Sequence, residues 1–201
     1  ATIQQFLTEK GFDAAFVGTG AGLPKFFGIP GENYIGVFSA NEYLTRANLM
    51  KAYLKDKADT PYYEAKTVVV CGGGNVAMDA SRMALRLGAE KVYIVYRRTQ
   101  KELPARREEV AHAMEEGVEF KFLENPVEIL GDKETGKVTG IRALSYELGE
   151  PDASGRRRPV AIPGSEHDIA CDAVIVALGN NSNPLIPKTT PEIKTDPHGH
   201  I

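Results

Sequence analysis

The chain has 201 residues and a formal net charge of -3, which argues against a nucleic-acid surface as its main partner. Its 25% charged and 42% hydrophobic residues are globular composition, enough for one large domain or two small ones. No run approaches the about 18 apolar residues of a spanning helix, and no signal-peptide pattern opens the chain. Cys71 and Cys171 are too few for a disulfide framework, so a reducing, cytoplasmic setting is expected.

In chain order, Asp13-Ala14-Ala15-Phe16-Val17-Gly18-Thr19-Gly20 reads as a short buried strand with a glycine exit. Ser39-Ala40-Asn41-Glu42 is a capping box, and the helix after it should carry Tyr43, Leu44, Ala47, Met50, Tyr53 and Leu54 inward before Asp59-Thr60-Pro61 ends it. Residues 66–71 form a β-branched strand. A helix over 75–87 places Val76, Ala77, Ala80, Met83, Ala84 and Leu87 on one face and stops at Gly88. A second strand covers 91–96. Pro104 opens a charged helix with Val110, Ala113 and Met114 inward and Gly117 at its end, and residues 118–123 make a third strand. This βαβαβ order predicts a parallel sheet covered by helices.

After residue 123 the pattern changes. Residues 128–130, 138–148 and 160–162 are short strands broken by Gly131-Asp132, Gly149-Glu150-Pro151-Asp152 and Pro163-Gly164, the signature of an antiparallel meander. Residues 172–177 return to a buried strand. Asp172-Ala173-Val174-Ile175-Val176-Ala177-Leu178-Gly179 echoes residues 13–20, as if the two strands enter and leave an inserted domain. The fold expected is α/β: a Rossmann-like parallel sheet with helices and an antiparallel β-meander crossover. The first and last parallel strands should be neighbours, with Cys71 and Cys171 near opposite ends, roughly 20 Å apart and unbridged.

The chemistry is concentrated at Cys71-Gly72-Gly73-Gly74-Asn75-Val76-Ala77. A strand enters a glycine turn that opens directly into an apolar helix, the arrangement that holds the pyrophosphate of a dinucleotide. Gly72 permits the tight turn and Gly74 lets the backbone approach the phosphates. Ala77 fills the third place, where a small residue lets helix and strand pack closely. The phosphates then meet free N–H groups at the positive end of the helix. The second strand ends Tyr93-Ile94-Val95-Tyr96-Arg97-Arg98-Thr99, with no acid to hold a ribose 2′-hydroxyl. Arg97 and Arg98 are therefore expected to clamp the 2′-phosphate of NADPH, with Arg106 as a further candidate. Ala177, Leu178 and Gly179 end the last parallel strand beside the glycine loop.

Other polar residues read as structural. Tyr62 and Lys66 have the Tyr-x-x-x-Lys spacing of short-chain dehydrogenases but precede the glycine loop, whereas that family's pair follows it. His198 and His200 flank a glycine in a terminal turn, where a metal site is not expected without acidic or cysteine partners, His112 sits on a charged helix, and His167 has no evident partner. Arg156-Arg157-Arg158 reads as an exposed hairpin tip. No catalytic side chain and no metal ligand are nominated.

Gly72-Gly73-Gly74-Asn75-Val76-Ala77-Met78-Asp79, Tyr96-Arg97-Arg98-Thr99 and Glu102-Leu103-Pro104-Ala105-Arg106 closely resemble the β (small) subunit of NADPH-dependent glutamate synthase. The resemblance extends to Phe16-Val17-Gly18-Thr19-Gly20-Ala21-Gly22 and Asn41-Glu42-Tyr43-Leu44. It also covers the large subunit of NADPH-linked ferredoxin transhydrogenase and part of dihydropyrimidine dehydrogenase. It implies a split FAD domain with an NADPH domain inserted in it. Electrons would pass from NADPH to FAD and on through iron–sulfur clusters to a large (α) subunit. Hydride then moves between nicotinamide and flavin without a protein acid or base.

The corresponding division is a remnant of the FAD domain over 1–36, the NADP(H)-binding domain over 37–178, and a return segment over 179–201. The chain reads as an excised piece of a longer protein, so the fragment alone is expected to bind no flavin and to oxidise no NADPH. The alternatives are the transhydrogenase subunit and a nucleotide-sensing module without redox chemistry.

Overall fold

The computed structural model of the chain describes residues 2–151, 153, 155–196 and 199–201. The turn at Pro197-His198 and the reading of His198 lie outside the described residues, as does Asp152. In chain order the elements are α1 (Ile3–Thr8), β1 (Leu23–Pro24), β2 (Val37–Ser39), α2 (Ala40–Leu44), β3 (Thr67–Cys71), α3 (Asn75–Arg86), β4 (Lys91–Tyr96) and α4 (Arg107–Glu115). They continue with β5 (Glu119–Phe122), β6 (Glu124–Gly131), β7 (Val138–Pro151), β8 (Arg157–Ala161), β9 (His167–Ala170), β10 (Ala173–Val176), β11 (Asn180–Asn181) and α5 (Leu185–Thr189). The chain divides into two compact units, Phe26–Leu178 and a smaller one made of Ala1–Lys25 with Gly179–Ile201.

The larger unit is built on a parallel sheet in the order β2-β10-β3-β4-β5. Alternation along its strands divides the core between two faces. Val68, Val70, Val92, Ile94 and Ile175 pack against Ala77, Ala80, Ala84, Val110 and Ala113 of α3 and α4. Val69, Cys71, Val95, Val174 and Val176 pack instead against Ile129, Ile141, Ala143 and Ile169 of the antiparallel strands. There β6, β8 and β9 each pair with β7. The meander is therefore a third layer under the parallel sheet.

Several elements differ from expectation. The first helix does not run to Leu54: α2 gives way to a wide π turn over Thr45–Leu49, and the chain breaks at Lys51, with φ 55°. Met50, Tyr53 and Leu54 are exposed in consequence. The Ser39 hydroxyl accepts from Glu42 N at 3.2 Å, but the Glu42 carboxylate pairs with Arg46 at 2.8 Å, so only half of the capping box forms. On α3, Met78 and Ser81 are buried while Val76 is 43% exposed. The Ser81 hydroxyl donates to the Met78 carbonyl at 2.8 Å, which lets a polar residue face the core. Helix α4 begins at Arg107 rather than Pro104, and Met114 is exposed. Strands β1, β2, β9 and β11 and helices α1 and α5 lie outside the elements that the sequence pattern predicts.

Residues 13–20 form no strand, and Phe16 is 97% exposed. A strand needs a ladder partner, and among the described residues no strand pairs with this stretch. Asp172 has the role Asp13 lacks: its carboxylate accepts from Lys66 N at 2.9 Å and Thr67 N at 2.8 Å, fixing the start of β3 against β10. In the smaller unit, β1 pairs antiparallel with β11, placing Leu23 opposite Asn181.

Cys71 and Cys171 are both free and buried. Cys71 stands opposite Val176 at the carboxyl end of the β3–β10 pair, and Cys171 precedes β10 at the other end. Their side chains nonetheless enter one core. Burial pushes the Cys71 thiol up, with the Cys171 thiol adding to the effect. Burial also raises Cys171 to about 12. Thiolate is the reactive form, so neither cysteine should be modified by an aromatic disulfide reagent in the folded chain, and both should react in denaturant. Rapid modification of either in the native state would contradict this packing.

Candidate functional site

The turn after β3 is shaped by what surrounds each glycine. Gly72 has φ +145°, and a Cβ there would lie 2.3 Å from the Ala177 carbonyl oxygen. The backbone closes the same contact: Ala177 N donates to the Cys71 carbonyl at 2.9 Å, and Gly72 N to Val95 O at 3.1 Å. Gly73, the variable position of the motif, is enclosed by side chains rather than by backbone. A Cβ on it would lie 2.7 Å from Leu103 and 2.8 Å from the Tyr96 ring. Its carbonyl accepts from Ala105 N at 3.1 Å. Gly74 is the opposite case, with nothing within 4 Å of a Cβ position.

Gly74 is the N-cap of α3 and supplies no side-chain cap. Its carbonyl receives the amides of Ala77 and Met78 at 2.9 and 3.2 Å. The amides of Asn75 and Val76 belong to the first turn, which the helix itself does not satisfy. An open backbone at Gly74, an uncapped N-terminus and the positive end of the helix dipole fit a pyrophosphate. The Asn75 side chain is committed elsewhere: its Oδ1 accepts from Arg106 N at 2.8 Å and so fixes the start of α4.

The loop after β4 carries the cations. Arg97 is exposed. Arg98 departs from the picture of an open cation: it is 7% exposed, and its Nε donates to the Arg157 carbonyl at 2.7 Å. The next turn is locked by Glu102, which accepts from Thr99 N at 3.1 Å and Thr99 Oγ1 at 2.5 Å. The Thr99 hydroxyl is the main reason that the Glu102 carboxyl is held below its usual range, and Arg157 adds to the effect. Tyr96 Oη donates to the Glu102 carbonyl at 2.8 Å.

Thus Gly72, Gly73, Gly74, Asn75, Val76, Arg106 and Ala177 come together around one turn, and the loop of Arg97 and Arg98 joins them through Tyr96, which packs over Gly73. Leu178 is 37% exposed at the end of the larger unit. Gly179 lies in the smaller unit, with φ +87°, and its carbonyl accepts from Lys25 N at 3.0 Å. Sequence reasoning passed over Tyr96, Leu103 and the Thr99–Glu102 lock. The Thr-x-x-Glu spacing was the available signal for the last.

The residues set aside in the sequence find structural partners. His167 is not isolated: its Nε2 lies 3.3 Å from Glu124 Oε2. Tyr62 donates to the Leu87 carbonyl, and Lys66 pairs with Glu90 at 3.3 Å. Among the described residues, no group of three or more His, Cys, Asp or Glu side chains could hold a metal, and no helix is long and apolar enough to cross a membrane.

A parallel sheet ending in an open glycine turn at a helix N-terminus, backed by an antiparallel layer, defines the class of FAD/NAD(P)-binding oxidoreductase folds. The chain belongs to the pyridine nucleotide-disulphide oxidoreductase family, whose model matches residues 5–201. It is 41% identical to the glutamate synthase [NADPH] small chain of Halomonas elongata, over 98% of this chain and 41% of that one. It is 45% identical to the NADPH-Fe(3+) oxidoreductase subunit beta of Geobacter sulfurreducens, over 86% of this chain and 25% of the relative. The chain thus spans less than half of either relative's length. Among solved structures, Mycobacterium tuberculosis FprA in complex with NADPH superposes with a TM-score of 0.65 at 20% identity, covering 88% of this chain and 51% of FprA, a likeness of fold.

The packing predicts opposite outcomes at neighbouring glycines. Gly72→Ala should destabilise the chain by about 1–3 kcal/mol or more, because the Cβ meets backbone and the φ is unsuited to alanine. Gly74→Ala should lie within about 0.5 kcal/mol of the wild type. Urea unfolding of both variants checks this, and equal losses would contradict the described turn.

Proposed function

We propose that this chain is the NADPH-binding region of a glutamate synthase small-subunit-like oxidoreductase. NADPH, when bound, supplies a hydride, and FAD carried by the full-length protein accepts it. Iron–sulfur clusters would carry the electrons on to a large subunit for glutamate synthesis, in the cytoplasm. The residues here bind and orient; none acts as acid or base. The N–H groups at Gly74, Asn75 and Val76 hold the pyrophosphate. Ala177 and Leu178 border the nucleotide at the carboxyl edge of the sheet, with Gly179 just beyond. Arg97 meets the 2′-phosphate, and Arg106 stands at the start of α4 as a second cation.

Residues 37–178 hold the nucleotide, residues 1–36 are a remnant of an FAD domain with the entry crossing, and residues 179–201 are the return segment toward it. The observation that carries the reading is the exposed Arg97 after β4, where an acid would serve NADH. The glutamate synthase and Fe(3+) oxidoreductase relatives above share NADPH and differ in the other reactant, which supports the nucleotide end most strongly.

A charged hydrogen bond contributes roughly 1.5–3 kcal/mol, so NADPH should bind at least about tenfold more tightly than NADH. Arg97→Ala should remove most of that preference and leave NADH binding unchanged. Gly74→Ala should weaken both nucleotides without loss of stability. Calorimetric titration measures all three, and equal affinities in the wild type would overturn the assignment.

A further inference from the structure

We infer that Arg98 is a positioning residue, through which the antiparallel layer sets the place of Arg97 and with it the discrimination of NADPH from NADH. The inference rests on the NADPH reading above. Adjacent residues after a strand point to opposite sides, and here Arg97 is exposed while Arg98 is buried. The Arg98 Nε–H is given to the Arg157 carbonyl of β8. That strand is itself pinned, because the Arg157 guanidinium donates to the Gly149 carbonyl at 3.0 Å and to the Leu148 carbonyl.

The Arg98 backbone is held from the same layer. Its carbonyl accepts from Leu123 N at 3.1 Å, and the Leu123 carbonyl accepts from Tyr146 N of β7 at 2.7 Å. Leu123 has φ 59°, an unusual conformation for leucine, at the point where the chain leaves the parallel sheet for the antiparallel one. On the other side Glu102 locks Thr99, and the charge of Arg157 reaches Glu102. The loop bearing Arg97 is therefore clamped between its own turn and the meander.

A double-mutant cycle tests this. One change is Arg98→Ala. The other replaces residues 149–158 by an Asn-Gly turn joining Leu148 to Pro159, which already face each other in the β7–β8 ladder, and so removes the Arg157 carbonyl. Each single variant should weaken NADPH binding by about tenfold and leave NADH binding unchanged, and the double should be no weaker than either, because both remove the bond from Arg98 to the Arg157 carbonyl. If Arg98→Ala costs the same factor in both backgrounds, or truncation leaves NADPH affinity unchanged, the inference is overturned.

Hydrogen exchange without nucleotide tests it independently of the truncation's folding. The amides of Thr99 and Leu123 should exchange at least about tenfold faster in Arg98→Ala than in the wild type. Unchanged exchange would overturn the strut. Equal NADPH and NADH affinities in the wild type would overturn the nucleotide reading instead, whatever the exchange shows.

Discussion

The contact between Gly72 and the Ala177 carbonyl governs the architecture of the site. Two parallel strands, β3 and β10, run side by side and leave the sheet at the same edge. The chain after β3 must turn sharply into a helix while the chain after β10 passes against it. With a Cβ position 2.3 Å from the neighbouring carbonyl oxygen, only glycine lets both happen. Once that crossing is made, α3 starts at Gly74 with its amide end open. The nucleotide site follows from how the strands crowd at the sheet edge, and the loops add specificity to it.

Three turns share that edge and are fastened to one another. Gly73 packs under Tyr96 and Leu103, Asn75 holds the amide of Arg106, and Glu102 holds Thr99. Most of these bonds involve backbone on at least one side. The arrangement resists single side-chain changes but depends on small residues at Gly72 and Gly73. The surface left free of such packing, Gly74 with the adjoining first turn of α3, is where a ligand can approach main-chain donors.

Much of this was legible in the sequence. The order of strands and helices from Thr67 to Phe122, the meander after it, and the glycine turn all declare themselves through period and punctuation. The errors have physical causes. Met50, Tyr53 and Leu54 keep helical spacing, but Lys51 and Lys55 adopt positive φ, which side-chain periodicity does not encode. Residues 13–20 look like Asp172–Gly179 because a strand's composition says nothing of whether an edge stands beside it. Arg97 and Arg98 read as an equivalent pair in the sequence, and the folded meander distinguishes them through a contact 59 residues away along the chain.

The central claim is that the amides opening α3 receive a dinucleotide pyrophosphate while Arg97 receives the 2′-phosphate. Isotope-labelled chain, titrated with NADP+ and with NAD+ and followed by amide NMR, tests it directly. Gly74, Asn75 and Val76 should shift with both nucleotides, and Arg97 should shift with NADP+ alone. Shifts confined to other parts of the chain, or an Arg97 response equal for the two, would contradict the account.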